Sequence, residues 1–149
     1  MTQPTEFLTG IFVGDQFTAA NAQFFRDNNI VRVVNCTKTL PFYYNQSAQY
    51  FRVPVDDSSD DQNNEIMARH MLPAIRFVLE IQPSASRGVL IHCHAGVSRS
   101  CTVAAAVIRY CCAQTIPIAI NMLISKRDFA FFRGMYVNFS KALYQVFKF

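Results

Sequence analysis

The sequence has no apolar run of the roughly 18–20 residues that a membrane-spanning helix needs. Arg109 interrupts the best candidate. The first residues, Met1-Thr2-Gln3-Pro4-Thr5-Glu6, show no basic segment leading into an apolar one, so no secretory signal is expected. No CxxC pair occurs, and the five cysteines (Cys36, Cys93, Cys101, Cys111 and Cys112) are odd in number. A disulfide framework or structural zinc site is therefore not expected. A reducing compartment is, with the cytoplasm first and the nucleus also open. There is no Lys/Arg-rich block; a net charge of +4 suits an anionic substrate without pointing to nucleic acid. Repeats, linkers and low-complexity segments are also missing, so residues 1–149 read as one domain. What is present is core material: 51% hydrophobic residues, including 14 Phe, predict a packed globule.

Strand-like and helix-like segments alternate. Ile11-Phe12-Val13 reads as a short strand. Thr18 to Asn28 reads as a helix capped by Thr18 and closed by Asn28-Asn29. Ile30 to Asn35 is a β-branched run and a central strand. Thr37 to Gln49 reads as a loop, and Tyr50 to Val55 as another strand. The polar stretch Asp56 to Asn64 leads into a helix from about Glu65 to Ile81. Gly88 to His92 is the next strand, and Arg99 to Cys112 an Ala-rich buried helix. Pro117 opens a helix to about Lys126. Gly134 to Phe149 supplies a last helix. Interleaving of this kind predicts an α/β fold, a mostly parallel sheet flanked by helices. Its ligand site belongs at the C-terminal end of a strand.

One such end is chemically loaded. His92-Cys93-His94-Ala95-Gly96-Val97-Ser98-Arg99-Ser100 joins a strand to a helix. Successive backbone N–H groups in such a loop curl toward one point, and the helix N-terminus adds about half a positive charge. Those amides, the dipole and Arg99 all favour a thiolate at Cys93. Arg99 can grip two oxygens of a phosphate. Gly96 allows a tight turn. The parts describe phosphoryl transfer to sulfur with no cofactor. His92, Cys93 and His94 do not make a metal cluster: on a strand the two histidines share one face and Cys93 takes the other. No metal is expected.

His-Cys-x-x-Gly-x-x-Arg-Ser resembles the signature of the cysteine-dependent protein tyrosine phosphatases, and the full loop resembles their dual-specificity branch. The likeness extends over about residues 8–147. Phe12-Val13-Gly14, Val33-Val34-Asn35, Val53-Pro54-Val55-Asp56-Asp57, and Phe139 with Leu143 resemble other family segments. The resemblance implies a protein-tyrosine-phosphatase-like fold of the small, catalytic-domain-only type. It makes Cys93 the nucleophile and Arg99 the phosphate ligand. The amides of His94, Ala95, Gly96, Val97, Ser98 and Arg99 become the cradle. Asp57 becomes the general acid, with Asp56 and Asp60 as alternative registers. Ser100 would stabilise the departing thiolate, and His92 would brace the loop. Met135 and Tyr136 stand where the family often has Pro-Asn. Cys101 places a second thiol beside the first.

The resemblance implies hydrolysis of phosphotyrosine and phosphoserine or phosphothreonine in protein substrates, by a monomer or weak homodimer with no nucleic-acid or membrane partner. Relatives acting on RNA 5′ ends or inositol lipids are the alternative, and neutral Ala95, Val97 and Ser98 argue against both. A non-catalytic phosphate-binding module is a third reading; it would need a broken nucleophile, arginine or acid.

Overall fold

The computed structural model describes residues 2–135 and 137–148. Five strands form one sheet: β1 Thr5–Leu8, β2 Ile11–Gly14, β3 Ile30–Asn35, β4 Gln49–Arg52 and β5 Gly88–His92. Their order is β1-β2-β5-β3-β4. Only β1 runs antiparallel to its neighbour; the pairs β2–β5, β5–β3 and β3–β4 are parallel. The central place of β5 follows from its sequence. Gly88-Val89-Leu90-Ile91 is apolar on both faces, and every residue of the strand is buried.

Alternation along the strands divides the core in two. Val34, Val89 and Ile91 face a large cluster with Met67, Met71, Val103, Val107, Leu123 and Phe139. Val33 and Leu90 face a smaller one with Ala19, Phe25 and Ile30. The large side is covered by α3 Asp61–Leu79, α4 Arg99–Cys112, α5 Ile116–Lys126 and α6 Ser140–Phe147. The small side is covered by α1 Gln16–Ala19 and α2 Ala22–Asp27. From Arg99 to Ile108 every residue of α4 is buried, so this helix lies inside the layer against the sheet. No single helix among the described residues is long and apolar enough to cross a membrane.

Several boundaries differ from the sequence expectation. The segment 18–28 is two helices. Asp15 caps the first, accepting from Phe17 N and Thr18 N at 3.0 and 2.9 Å. Asn21 caps the second, accepting from Phe24 N at 3.1 Å. Thr18 lies inside α1, because the short acceptors of Asp15 and Asn21 each start a helix of their own. The third helix begins at Asp61, four residues early, because Asp60 accepts from Asn63 N at 2.8 Å and caps it. Strand β4 stops at Arg52. Val55 N bonds back to Val53 O at 2.9 Å, a three-residue turn about Pro54 that ends the pairing. The last helix starts at Ser140 rather than Gly134. Tyr136 and the terminal Phe149 lie outside the described residues. β1 was not anticipated; it forms through its antiparallel turn back into β2 at Gly10, whose φ is +77°.

Candidate active site

The loop from β5 to α4 is pinned by its carbonyls. His92 O accepts from Cys36 N at 2.8 Å, His94 O from Gln16 N at 2.9 Å, and Val97 O from Phe131 N at 2.8 Å. Gly96 O accepts from Arg127 Nε at 2.9 Å. A trans peptide sets each N–H opposite the preceding C=O. With those carbonyls turned outward, the N–H groups of Ala95, Val97 and Ser98 point to the interior of the loop. Gly96 sits at φ +68°, where an added Cβ would fall 2.6 Å from Arg127 Nη2 and 2.9 Å from the backbone of Gly14. Only glycine fits there. Helices α1, α2, α3 and α5 have side-chain caps, whereas Ser98 at the N-cap of α4 makes no such bond. The N-terminus that faces the loop therefore keeps its amides for an anion.

Cys93 stands at the base of this cradle, 2% exposed. Its Sγ accepts from Gly96 N at 3.3 Å and lies 3.1 Å from Ser100 Oγ. The Gly96 N–H thus donates to the sulfur, and the Ser100 hydroxyl is within hydrogen-bond reach of it. Arg99 is 8% exposed. Its Nη1 donates to Val55 O at 3.2 Å, and its Nε is buried with no partner. An oxyanion in the loop would supply one. His92 is buried, and its Nδ1 lies 3.2 Å from Cys93 O. Burial pushes its pKa down to about 4, so the ring is neutral and Nδ1 carries the proton as donor. It braces the cysteine's own carbonyl. His94 is half-buried.

The neighbouring thiols behave differently. Burial, with Cys93 nearby, pushes Cys101 up to about 12; it keeps its proton and donates to Gly96 O at 3.4 Å. Cys36 is also buried and shifted well upward for the same first reason. All five cysteines are free. Among the described residues, no group of three or more His, Cys, Asp or Glu is placed to hold a metal ion.

The aspartates separate by partner. Asp56 is exposed and pairs with Lys38 Nζ at 2.9 Å. Asp60 caps α3, and the Asn63 N–H bond holds its carboxyl below the usual carboxylate range. Asp61 pairs with Lys141 at 2.8 Å. Asp57 instead accepts from Asn138 Nδ2 at 2.7 Å. Asp57 follows Val55 by two residues, and Val55 O is the carbonyl that holds Arg99. One contact thus joins the Asp57 loop to the Cys93 loop. Tyr44 packs on Phe25 at 4.7 Å in the smaller core. Tyr43 faces solvent.

Three residues at the site escaped the sequence reading: Arg127, Asn138 and the backbone role of Phe131. Arg127 is 1% exposed and runs behind the loop. Besides Gly96 O it donates to Gln3 O at 2.7 Å and Thr5 Oγ1 at 2.8 Å. No local pattern marks a buried arginine that serves carbonyls.

A thiol and an arginine on one amide-lined loop, at the C-terminal end of a central parallel strand, define the class of cysteine-based phosphate-handling domains. The chain belongs to the dual-specificity phosphatase catalytic-domain family, whose profile matches residues 11–148. It is 32% identical over 127 residues to the dual specificity protein phosphatase Mpk3 of Drosophila melanogaster, covering 83% of this chain and 30% of that protein. It is 31% identical over 120 residues to human dual specificity protein phosphatase 9, covering 79% and 29%. The chain therefore spans about a third or less of these relatives. Its fold matches human DUSP28 with a TM-score of 0.80 at 19% identity, over 99% of this chain and 95% of that one. It matches Cydia pomonella PTP-2 phosphatase with a TM-score of 0.73 at 25% identity, over 99% and 89%.

Proposed function

We propose that this chain hydrolyses phosphotyrosine and phosphoserine or phosphothreonine in proteins through a phosphocysteine intermediate. The observation that carries the reading is Cys93 Sγ held between Gly96 N–H and Ser100 O–H at the base of an anion cradle. Cys93 Sγ attacks phosphorus in line, the S–P bond forms, and the P–O bond to the leaving alcohol breaks. Asp57 gives its proton to that oxygen. Arg99 and the loop amides hold the three equatorial oxygens, whose charge is greatest in the transition state. In the second half Asp57 takes a proton from water, and the water oxygen attacks phosphorus. The S–P bond then breaks, with the Ser100 hydroxyl stabilising the departing thiolate. Inorganic phosphate leaves. His92 acts only through the loop it braces.

Protein substrates fit better than RNA ends or inositol lipids because Ala95, Val97 and Ser98 bring no added cation to the cradle. Phosphate release from a phosphotyrosine peptide, a phosphothreonine peptide, a triphosphate-ended RNA and an inositol phospholipid tests this. Turnover is expected on the two peptides. Cys93→Ser should remove it, a loss on the order of 10⁴–10⁶-fold, as for other nucleophile deletions. An inactive reduced wild type would leave only a phosphate-binding module.

A further inference from the structure

The loop that bears Asp57 has no helix or strand between Arg52 and Asp61. A general acid on such a loop needs a restraint, and the restraint comes from far along the chain. Asn138 Nδ2 donates to Asp57 Oδ1 at 2.7 Å across 81 residues. Asn138 itself is 8% exposed, while Asp57 is exposed. The buried partner is held in turn by Asn64. The Asn64 Nδ2 group reaches Asn138 O at 3.4 Å, and also Ser59 O and Asp60 O at 3.1 Å each. Asn64 Oδ1 accepts from Ala142 N at 3.0 Å in the first turn of α6. One asparagine thus clamps the far end of the acid loop to the start of α6, and the other reaches forward from that clamp to the carboxylate.

The placement is costly by ordinary rules. Asn138 Oδ1 is buried with no hydrogen-bond partner. An unmet buried acceptor destabilises the fold, because it gives up its bond to water and gains none. The amide spends its donor on an exposed carboxylate, where a bond would contribute little to stability. Both facts are explained if the bond serves the carboxylate and not the fold.

We propose that Asn138 is a positioning residue for the general acid, fixing Asp57 Oδ1 so that Oδ2 carries the transferred proton toward the leaving oxygen. This deepens the phosphatase reading and rests on it. Acid catalysis matters when the leaving oxygen is basic and becomes dispensable when it is not, which separates positioning from packing.

The test compares phenyl phosphate, a poor leaving group, with a difluorinated umbelliferyl phosphate, a good one. Asn138→Ala should lower kcat on phenyl phosphate by about 10–50-fold, a part of the roughly 10²–10⁴-fold that general acids supply. It should change kcat on the good leaving group by less than about twofold and leave both KM values alone. In an Asp57→Ala background it should add nothing. Asn138→Leu keeps the approximate shape and removes the donor without adding charge, and should reproduce the selective loss if the alanine variant folds poorly. Equal losses on both substrates, additive losses in the double variant, or wild-type rates on both would overturn the assignment. A wild type dependent on Cys93 and Asp57, with Asn138 variants behaving like it, sinks only this inference. A wild type without activity sinks the phosphatase reading and this inference with it.

Discussion

Between His92 and Ser100 the loop carbonyls are held mainly by main-chain donors; between Val53 and Asp60 the carboxylates of Asp56 and Asp57 are held by side chains from elsewhere. In the first region the carbonyls of His92, His94 and Val97 are taken by backbone amides and that of Gly96 by Arg127, and Cys93, Ser98, Arg99 and Ser100 are all buried. In the second, Asp56, Asp57 and Asp60 are exposed and depend on Lys38, Asn138 and Asn63. The difference suits their tasks. An anion cradle stabilises charge only if its dipoles are already aimed, so it is built into the central strand and the buried helix. On the proposed mechanism the acid must meet leaving groups of different shape, which fits a surface loop tied at a few points.

A direct tie between the regions, Arg99 Nη1 to Val55 O, is the strongest place to break the comparison. Arg99→Lys keeps the charge but has no planar fork, so it cannot hold two phosphate oxygens and Val55 together. We expect kcat/KM on a phosphotyrosine peptide to fall by about 10²–10³-fold, comparable to the loss of one oxyanion donor. Steady-state kinetics of the purified variant checks it. A loss below tenfold would mean that the amides alone carry the phosphate and that the two regions are independent.

The same contrast decides what was legible in the sequence. The phosphate loop could be read because its determinants are contiguous: an apolar run, Cys93, Gly96 and Arg99, and an Ala-rich helix. The parallel sheet was legible for the same reason, since Ile30–Asn35 and Gly88–His92 are buried on both faces. Thr18 misled because three short polar residues, Asp15, Thr18 and Asn21, compete to start a helix within seven positions, and only packing chooses. Asp57 was separated from Asp56 and Asp60 only by resemblance. What distinguishes them physically, Asn138, Lys38 and the start of α3, is brought near by the fold. Arg127 was invisible because its partners are carbonyl and hydroxyl oxygens, which leave no complementary charge in the sequence.

A second prediction separates the regions by pH. His92 drops from 6.5 to about 4 on burial. The unfolded chain therefore takes up a proton that the folded chain refuses. Stability is full above about pH 6.5 and is lost as pH falls toward 4, by on the order of 3 kcal/mol at 1.36 kcal/mol per unit. Asp60 is shifted the same way from 3.8, so its contribution is present above that pH and fails only below it. The phosphate loop's histidine should weaken the fold first and the acid loop's cap later. Urea midpoints across pH 7 to 3 should show the upper step in the wild type and lose it in His92→Asn. An upper step that persists in His92→Asn would assign it elsewhere.

The smallest effect is expected at Asp56, and it bears on the acid loop most directly. Asp56 and Asp57 are adjacent, both exposed, and equally suited by residue type to give up a proton. Their partners differ. Asp56 Oδ2 is paired with Lys38 Nζ at 2.9 Å, both side chains about half exposed or more, at 60% and 47%. The Asp56 carboxylate is taken up by Lys38, away from the Asn138 amide that Asp57 uses. Such an exposed pair contributes about 0–1 kcal/mol, so its removal should be felt little by the fold. The backbone of Asp56 is held separately, its N–H donating to Asn63 Oδ1 at 2.9 Å, and an amide side chain leaves that bond intact. Asp56→Asn should therefore keep kcat on phenyl phosphate within about twofold of wild type, against the roughly 10²–10⁴-fold expected for removing the acid. If Asp56→Asn instead loses activity selectively on the poor leaving group while Asp57→Asn does not, the acid is one residue earlier. The bond from Asn138 would then restrain the loop without touching the proton.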